Sequence, residues 1–222
     1  MRGLLECEPL RSSCATLAET SKSQPDKNLE ATYMLDSDIT VIDFDLATRA
    51  YAQELSLEEL PCSADALYAD DDETLYIVEF KSGRMKGRTT GVQSKCRDSV
   101  LILGDILEKP LSWFRDRCIF ILVYDESKNS SARSTTLGAA ERLDSSELQS
   151  SQAFNRLSAS IAKLGGTEIV QFGLKRFEGY CFKCVRTLTP DEFCDQYISQ
   201  WEQQLSAKRA GDEEQTATKA IV

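Results

Sequence analysis

The fold of this 222-residue chain is decided by Ser63-Ala-Asp-Ala-Leu-Tyr-Ala69 and Thr74-Leu-Tyr-Ile-Val-Glu-Phe-Lys81. Both stretches are rich in the apolar and aromatic residues of β-strands, and the acidic run Asp70-Asp-Asp-Glu73 joins them. Two such runs with so short a polar connection predict a β-hairpin. The acidic run lacks the alternating ligands and central glycine of a calcium loop, so we expect it to be a solvated turn.

Charged residues break the apolar pattern of the second predicted strand. Its pleat places Leu75, Ile77, Glu79 and Lys81 on one face, and Asp65 of the first strand can reach the same place. Ionisable groups beside an apolar run are costly to bury unless they pair or bind a cation. The two carboxylates would be hard oxygen ligands for Mg²⁺ or Mn²⁺, and the lysine could orient or deprotonate a water. The alternative is a structural salt bridge of Lys81 with either acid.

Hydrophobic periodicity outside the hairpin predicts strands that alternate with helices. Strands are expected at 39–44, 117–124, 168–176 and 179–187; helices are expected after an Asp45 cap, at 91–108, at 147–164 and from a capping box at 189–192. The 117–124 run is continuously apolar, which is typical of a central strand. This order predicts an α/β (α+β) domain with a mixed β-sheet core flanked by helices.

Composition predicts three parts of the chain and indicates its cellular compartment. We expect a loosely ordered arm at 1–28, a single domain at 29–205 and a polar tail at 206–222. No apolar leader follows Arg2 and no run of about 18 apolar residues occurs, so we predict neither a signal peptide nor a membrane span. Several of the eight cysteines lie in apolar runs, which fits a reduced, cytoplasmic protein.

The absence of histidine excludes whole classes of mechanism. Catalytic arrangements of the Ser-His-Asp and Cys-His types and His-ligated zinc sites are impossible. Cys181 and Cys184 have CxxC spacing and Cys194 could be a third ligand, but no convincing fourth lies nearby, so core packing is the preferred interpretation. A cysteine-bound metal module remains the weaker alternative.

The spacing of the acids resembles a known nuclease motif. Asp65, followed fourteen residues later by Glu79-Phe-Lys81, is similar to the PD-(D/E)xK nuclease superfamily, with the resemblance covering about residues 60–126. It implies a restriction-endonuclease-like fold in which Asp65 and Glu79 hold Mg²⁺ or Mn²⁺ and Lys81 serves the hydrolytic water.

The chain departs from that family pattern in three places. Ala64 stands where the family often has proline, and Arg97 falls where some relatives carry a tyrosine after the glutamine, here Gln93. Many members also carry an acid on a helix before the hairpin. The candidates for this third metal ligand are Glu54, Glu58 and Glu59.

A basic segment follows the motif. Residues 81–97 contain six basic residues and no acid, although 26 basic against 36 acidic residues give the whole chain a charge of −10. The segment therefore predicts a local phosphate-binding surface, with Arg84, Lys86, Arg88 and Lys95 as its nucleic-acid-binding residues. The alternative is a solvated loop and helix face.

Two functions follow from these features. The first is a divalent-metal-dependent nuclease that hydrolyses phosphodiester bonds through Asp65, Glu79 and Lys81. The second is a catalytically inactive nuclease-like fold that acts as a protein-interaction module, which would explain the acidic total charge. The fold alone does not choose between them.

Overall fold

Six strands form one mixed sheet in the computed structural model, which describes residues 4–23, 31–70, 74–129 and 170–208. In chain order they are β1 (Cys14–Thr16), β2 (Thr40–Asp43), β3 (Ala66–Ala69), β4 (Leu75–Lys81), β5 (Cys118–Tyr124) and β6 (Cys184–Leu188). They lie side by side in that same order. Pairing is antiparallel from β1 to β4 and parallel from β4 to β6. The predicted mixed sheet and the β3–β4 hairpin are therefore confirmed.

Helices cover both faces of this sheet. They are α1 (Leu17–Thr20), α2 (Phe44–Glu54), α3 (Thr89–Ile106), α4 (Leu111–Arg117) and α5 (Pro190–Phe193), and short 3-10 turns occur at Leu4–Glu6, Glu126–Lys128 and Leu174–Phe177. α5 opens with the predicted capping box, in which Thr189 and Glu192 each accept the other's backbone N–H, and it continues through a π-helical turn to residue 208. Within the described ranges, no helix has the length and apolar character that a bilayer span requires.

The central strand β5 confirms the interpretation of the apolar run. It pairs with seven residues of β4 on one side and five of β6 on the other. Alternate side chains enter two separate cores. One core lies beneath α3 and α4, and the other lies beneath α1 and the C-terminal helix. Strand β4 contributes Leu75 and Ile77 to the core beneath α3 and α4. It contributes Val78 and Phe80 to the core on the opposite face. Glu79 thus belongs to the face that α3 covers.

The crossover between β4 and β5 positions α3. Parallel neighbours need a long connection, which here consists of α3 and α4. Val92, Cys96 and Leu103 of α3 are buried against the sheet and recur at helical spacing. The inner face of α3 therefore lies over the polar end of the hairpin.

The N-terminal segment corrects the first domain prediction. Residues 4–23 are not a loose arm, because β1 pairs with β2 and the side chains of Leu10 and Leu17 are fully buried. The backbone N–H of Leu17 also donates to the carbonyl oxygen of Ile39 at 2.8 Å. This pairing joins segments far apart in the chain, so no local periodicity revealed it.

Other predictions differ from the structure in detail. The cap of α2 is Asp43, which accepts the N–H of Leu46, rather than Asp45. The described part of the expected 168–176 strand forms no strand and runs into the 3-10 turn Leu174–Phe177. The strand expected at 179–187 is β6, which is shorter and begins at Cys184. The predicted helix at 147–164 lies outside the described residues, as does the C-terminal tail beyond residue 208.

Leu17→Ala tests whether the N-terminal segment is part of the folded unit. We expect the free energy of unfolding to fall by about 2–5 kcal/mol, because the substitution leaves a cavity in a core with no solvent exposure. Urea unfolding followed by circular dichroism measures the change. Arg11→Ala is the control, since Arg11 is exposed and should change stability by less than about 0.5 kcal/mol. Equal, small effects of both substitutions would contradict the packing of this segment.

Candidate active site at the β3–β4 hairpin

Glu79 is a charged residue in a fully buried position. It follows Ile77 on the α3-covered face of β4, and its side chain is 0% exposed. Its Oε1 forms an ion pair with Lys81, and its Oε2 lies 2.9 Å from the Nζ of Lys95. Burial, and then the neighbouring Asp65 carboxylate, raise the pKa of Glu79, while the two lysines oppose that shift.

Asp65 is held against β4 by backbone and side chain together. Its N–H donates to the carbonyl oxygen of Val78 at 3.0 Å, and its Oδ2 accepts the N–H of Phe80 at 2.6 Å. Its Oδ1 then lies 3.0 Å from the Nζ of Lys95. Asp65 therefore lies on the same face of the hairpin as Glu79, as the pleat predicted.

Lys95 is the residue whose position the sequence did not predict. It was expected to contact nucleic acid, but its ammonium bridges the carboxylates of Asp65 and Glu79. The signal was present in the spacing, because Lys95 follows the buried Val92 by three residues and precedes the buried Ser99 by four. All three side chains therefore share the inner face of α3.

The four side chains form a charge-balanced group, which we call the hairpin quartet: Asp65, Glu79, Lys81 and Lys95. With both acids ionised, two carboxylates face two ammonium groups. Burial alone would lower the pKa of Lys95, but the carboxylates of Glu79 and Asp65 outweigh it and raise that pKa above its usual range. Lys95 therefore keeps its positive charge at neutral pH.

An open cavity of about 750 Å³ borders the quartet. Asp65, Lys81 and Lys95 line it, whereas Glu79 does not and lies beneath them. Residues 19–23 of the N-terminal segment line the cavity too. Part of its wall is thus built by the segment that was expected to be a loose arm.

Two aspartates before the hairpin line the same cavity. Asp45 accepts the hydroxyl of Ser63 at 2.5 Å, and Asp43 caps α2. Burial raises the pKa of Asp43, and the charges of Asp45 and Asp65 raise it further. Negative charge from the start of α2 therefore adds to that of Asp65.

The structure corrects the prediction that Glu54 is a candidate third metal ligand. It lies at the far end of α2, nine residues or about 14 Å along the helix from Asp45, and it is exposed. Glu58 and Glu59 are also exposed, and neither lines the cavity. Asp43 and Asp45 are the upstream acids that the structure brings to the site instead.

The remaining basic residues lie in the loop between β4 and α3. Arg84, Lys86 and Arg88 are exposed, and Arg88 also lines the cavity. Gly87 in this loop adopts a left-handed conformation with φ of 77°, which suits glycine. The loop therefore brings one cation, Arg88, to the cavity, and it exposes two more at Arg84 and Lys86.

The donor types suit a hard divalent cation, but Lys95 occupies the gap between them. Carboxylate oxygens are the preferred ligands of Mg²⁺ and Mn²⁺. In the ranges that the structure describes, no three or more Asp, Glu, Cys or His side chains are arranged to hold a metal. Of the CxxC pair, Cys181 packs in the core as predicted, whereas Cys184 is half-buried at the start of β6.

Comparison of the chain with protein-family models, with curated proteins and with solved structures found no match. The geometry of the hairpin site is therefore the basis for assigning a function to the chain.

A double-mutant cycle tests the buried ion pair of Lys95 with Glu79. Lys95→Met and Glu79→Gln should each destabilise the protein, and the double substitution should lose about 1–3 kcal/mol less than their sum, because the pair is broken only once. Urea unfolding of the four proteins gives the coupling energy. The control cycle uses Lys128 and Asp125, whose pair at 3.0 Å is more exposed, with side chains 52% and 26% exposed, and should couple by less than about 1 kcal/mol. A coupling no larger than that control would contradict the quartet.

Proposed function

We propose that this chain is a divalent-metal-dependent nuclease with a restriction-endonuclease-like fold. The observation that carries the proposal is the convergence of Asp65, Glu79 and Lys81 on one side of the β3–β4 hairpin, beside an open cavity. The order of hairpin, helix α3 and parallel strand β5 supports it, since this is the order of elements over which the resemblance extends.

The chemistry would be divided among three members of the quartet. Asp65 and Glu79 would hold Mg²⁺ or Mn²⁺, which when bound supplies positive charge to the oxygens of the scissile phosphate. The Lys81 ammonium lies at the cavity, where it can orient a water for in-line attack or donate to a phosphate oxygen. With no histidine in the chain, no imidazole shares this work.

The positive charge of the loop that carries Arg84, Lys86 and Arg88 is an argument for nucleic acid as the substrate. Exposed cations beside a catalytic group can hold the phosphates that flank the scissile one. Contacts of this kind position a backbone without reading its sequence, which fits a nuclease of broad preference.

One observation favours the second candidate, a nuclease-like fold that no longer cuts and acts as a protein-interaction module. The hairpin quartet is charge-balanced without a metal, because Lys95 pairs with both carboxylates. Calorimetry separates the candidates, since a protein-interaction module needs no divalent cation. The nuclease is preferred because Lys81 and Asp65 line a cavity that a phosphate can enter.

Cleavage assays with isosteric variants test the catalytic assignment. The wild-type chain with Mg²⁺ or Mn²⁺ should cut DNA or RNA, and chelation should abolish cutting. Asp65→Asn, Glu79→Gln and Lys81→Met should each lower the rate by about a hundredfold or more, since each removes a charge that the transition state needs. Gel analysis of single- and double-stranded substrates measures the rates.

The matched control for these variants is Glu54→Gln. Glu54 is an exposed acid outside the cavity, so its substitution should leave the cleavage rate unchanged. A wild-type protein that cuts none of the four substrates with either metal would refute the nuclease proposal. So would site variants that cut as fast as the wild type.

Salt dependence tests the basic loop. Replacing Arg84, Lys86 and Arg88 by glutamine should weaken binding of duplex DNA and lower the slope of log affinity against log salt by about 0.9 for each phosphate that the loop no longer neutralises. Fluorescence anisotropy in chelator measures binding without cleavage. The charge-matched control replaces the exposed residues Lys109, Arg176 and Lys183. Equal slopes for the two triple variants would exclude a specific role of the loop.

A further inference from the structure

The Lys95 ammonium lies in the place that a cation shared by Asp65 and Glu79 must occupy. It is 3.0 Å from one carboxylate and 2.9 Å from the other, both normal charge-assisted hydrogen-bond distances. One carboxylate comes from Asp65, the residue just before β3, and the other from Glu79 of β4, and both contact this one group. The ammonium therefore acts in the fold as the bridge that a metal ion would otherwise supply.

An ammonium and a divalent ion cannot occupy this gap together. Mg²⁺ binds oxygens at about 2.0–2.1 Å and carries two charges, so an ammonium held between the same oxygens is both a steric block and a repelling charge. Lys81, in contrast, contacts the other oxygen of Glu79 and leaves the gap itself free. Of the two lysines in the quartet, only Lys95 stands between the two acids.

Lys95 also has room to move. Its side chain is 21% exposed and lines the cavity of about 750 Å³. Four flexible carbons carry the charge, so the ammonium can swing into the cavity without a change of the helix. Arg49 and Arg88 line the same cavity, so an anion bound there would stabilise the displaced ammonium.

We infer that Lys95 is a tethered cation that competes with the divalent metal ion for Asp65 and Glu79 and so regulates metal entry into the site. The inference rests on the proposed function for the identity of the metal ligands. In the resting state the ammonium satisfies both carboxylates. A metal ion binds only as the ammonium withdraws.

Binding of Mn²⁺ alone to the full chain tests the inference. Calorimetry and the electron paramagnetic resonance signal of free Mn²⁺ should show that Lys95→Met binds the ion about tenfold or more tightly than the wild type. The melting temperature of the variant should also rise more on adding Mn²⁺ than that of the wild type, because the ion replaces the missing bridge.

Lys22→Met is the matched control. Lys22 lines the same cavity, but its ammonium lies over the Tyr33 ring, 5.5 Å from the centroid. The Lys22→Met substitution removes the same charge without opening the gap between Asp65 and Glu79. The Mn²⁺ affinity of this variant should therefore stay within about threefold of the wild type. An equal gain in both variants would reduce the effect to general electrostatics and overturn the inference.

Two further outcomes would also overturn the inference. One is an unchanged or weaker Mn²⁺ affinity in Lys95→Met, which would make Lys95 a positioning residue for the metal ligands. The other is a Lys95→Met protein that fails to fold even in saturating Mn²⁺, because the ion would then be unable to replace the ammonium. The Lys95→Gln variant repeats this check with a side chain that still donates hydrogen bonds.

The test separates this inference from the proposed nuclease activity. A chain that cuts no nucleic acid can still gain Mn²⁺ affinity in Lys95→Met, because the measurement involves no substrate. Conversely, wild-type cleavage with an unchanged affinity in the variant would remove the role of Lys95 and leave the activity standing.

Discussion

The buried charge of Glu79 is the constraint on which the site depends. A carboxylate with no exposed surface must be compensated within the protein, because its removal from water is otherwise too costly. Lys81 compensates it from the same strand, and Lys95 does so from α3. The second contact fixes the rotation of α3 over the hairpin, since only one helical face can present both Lys95 and the buried Val92 to β4.

Most of the described fold was predictable because its strands and helices carry their own periodicity. The hairpin, the central strand β5 and the capping box of α5 each depend on residues close together in the chain. The N-terminal strand β1 was missed because it is three residues long, and its identity depends on pairing with β2 across an interval of more than twenty residues. Local pattern contains no information about such a pairing.

The residues of the site also differ in how far they could be predicted from local sequence. Asp65, Glu79 and Lys81 could be brought together from the sequence because an antiparallel hairpin and its pleat fix their relative positions. Lys95 and Asp45 reach the cavity through α3 and α2, whose placement is a tertiary property. Asp45 was interpreted as a helix cap, but the cap of α2 is Asp43. The Asp45 carboxylate instead accepts the hydroxyl of Ser63.

In the proposed nuclease, charge balance would link metal binding to substrate binding. With both acids ionised, two acids and two lysines sum to zero in the quartet, so exchanging the Lys95 ammonium for a divalent ion would add one positive charge between the carboxylates and move the ammonium's own charge into the cavity. Asp43 and Asp45 offset part of this excess from the cavity wall, and a phosphodiester in the cavity offsets more. Because each partner removes the other's electrostatic cost, metal and phosphate should each bind more tightly when the other is present. Under the proposed function, the site would remain paired and metal-poor until a nucleic acid binds, so a neutral quartet in the unbound chain is compatible with the proposed hydrolysis.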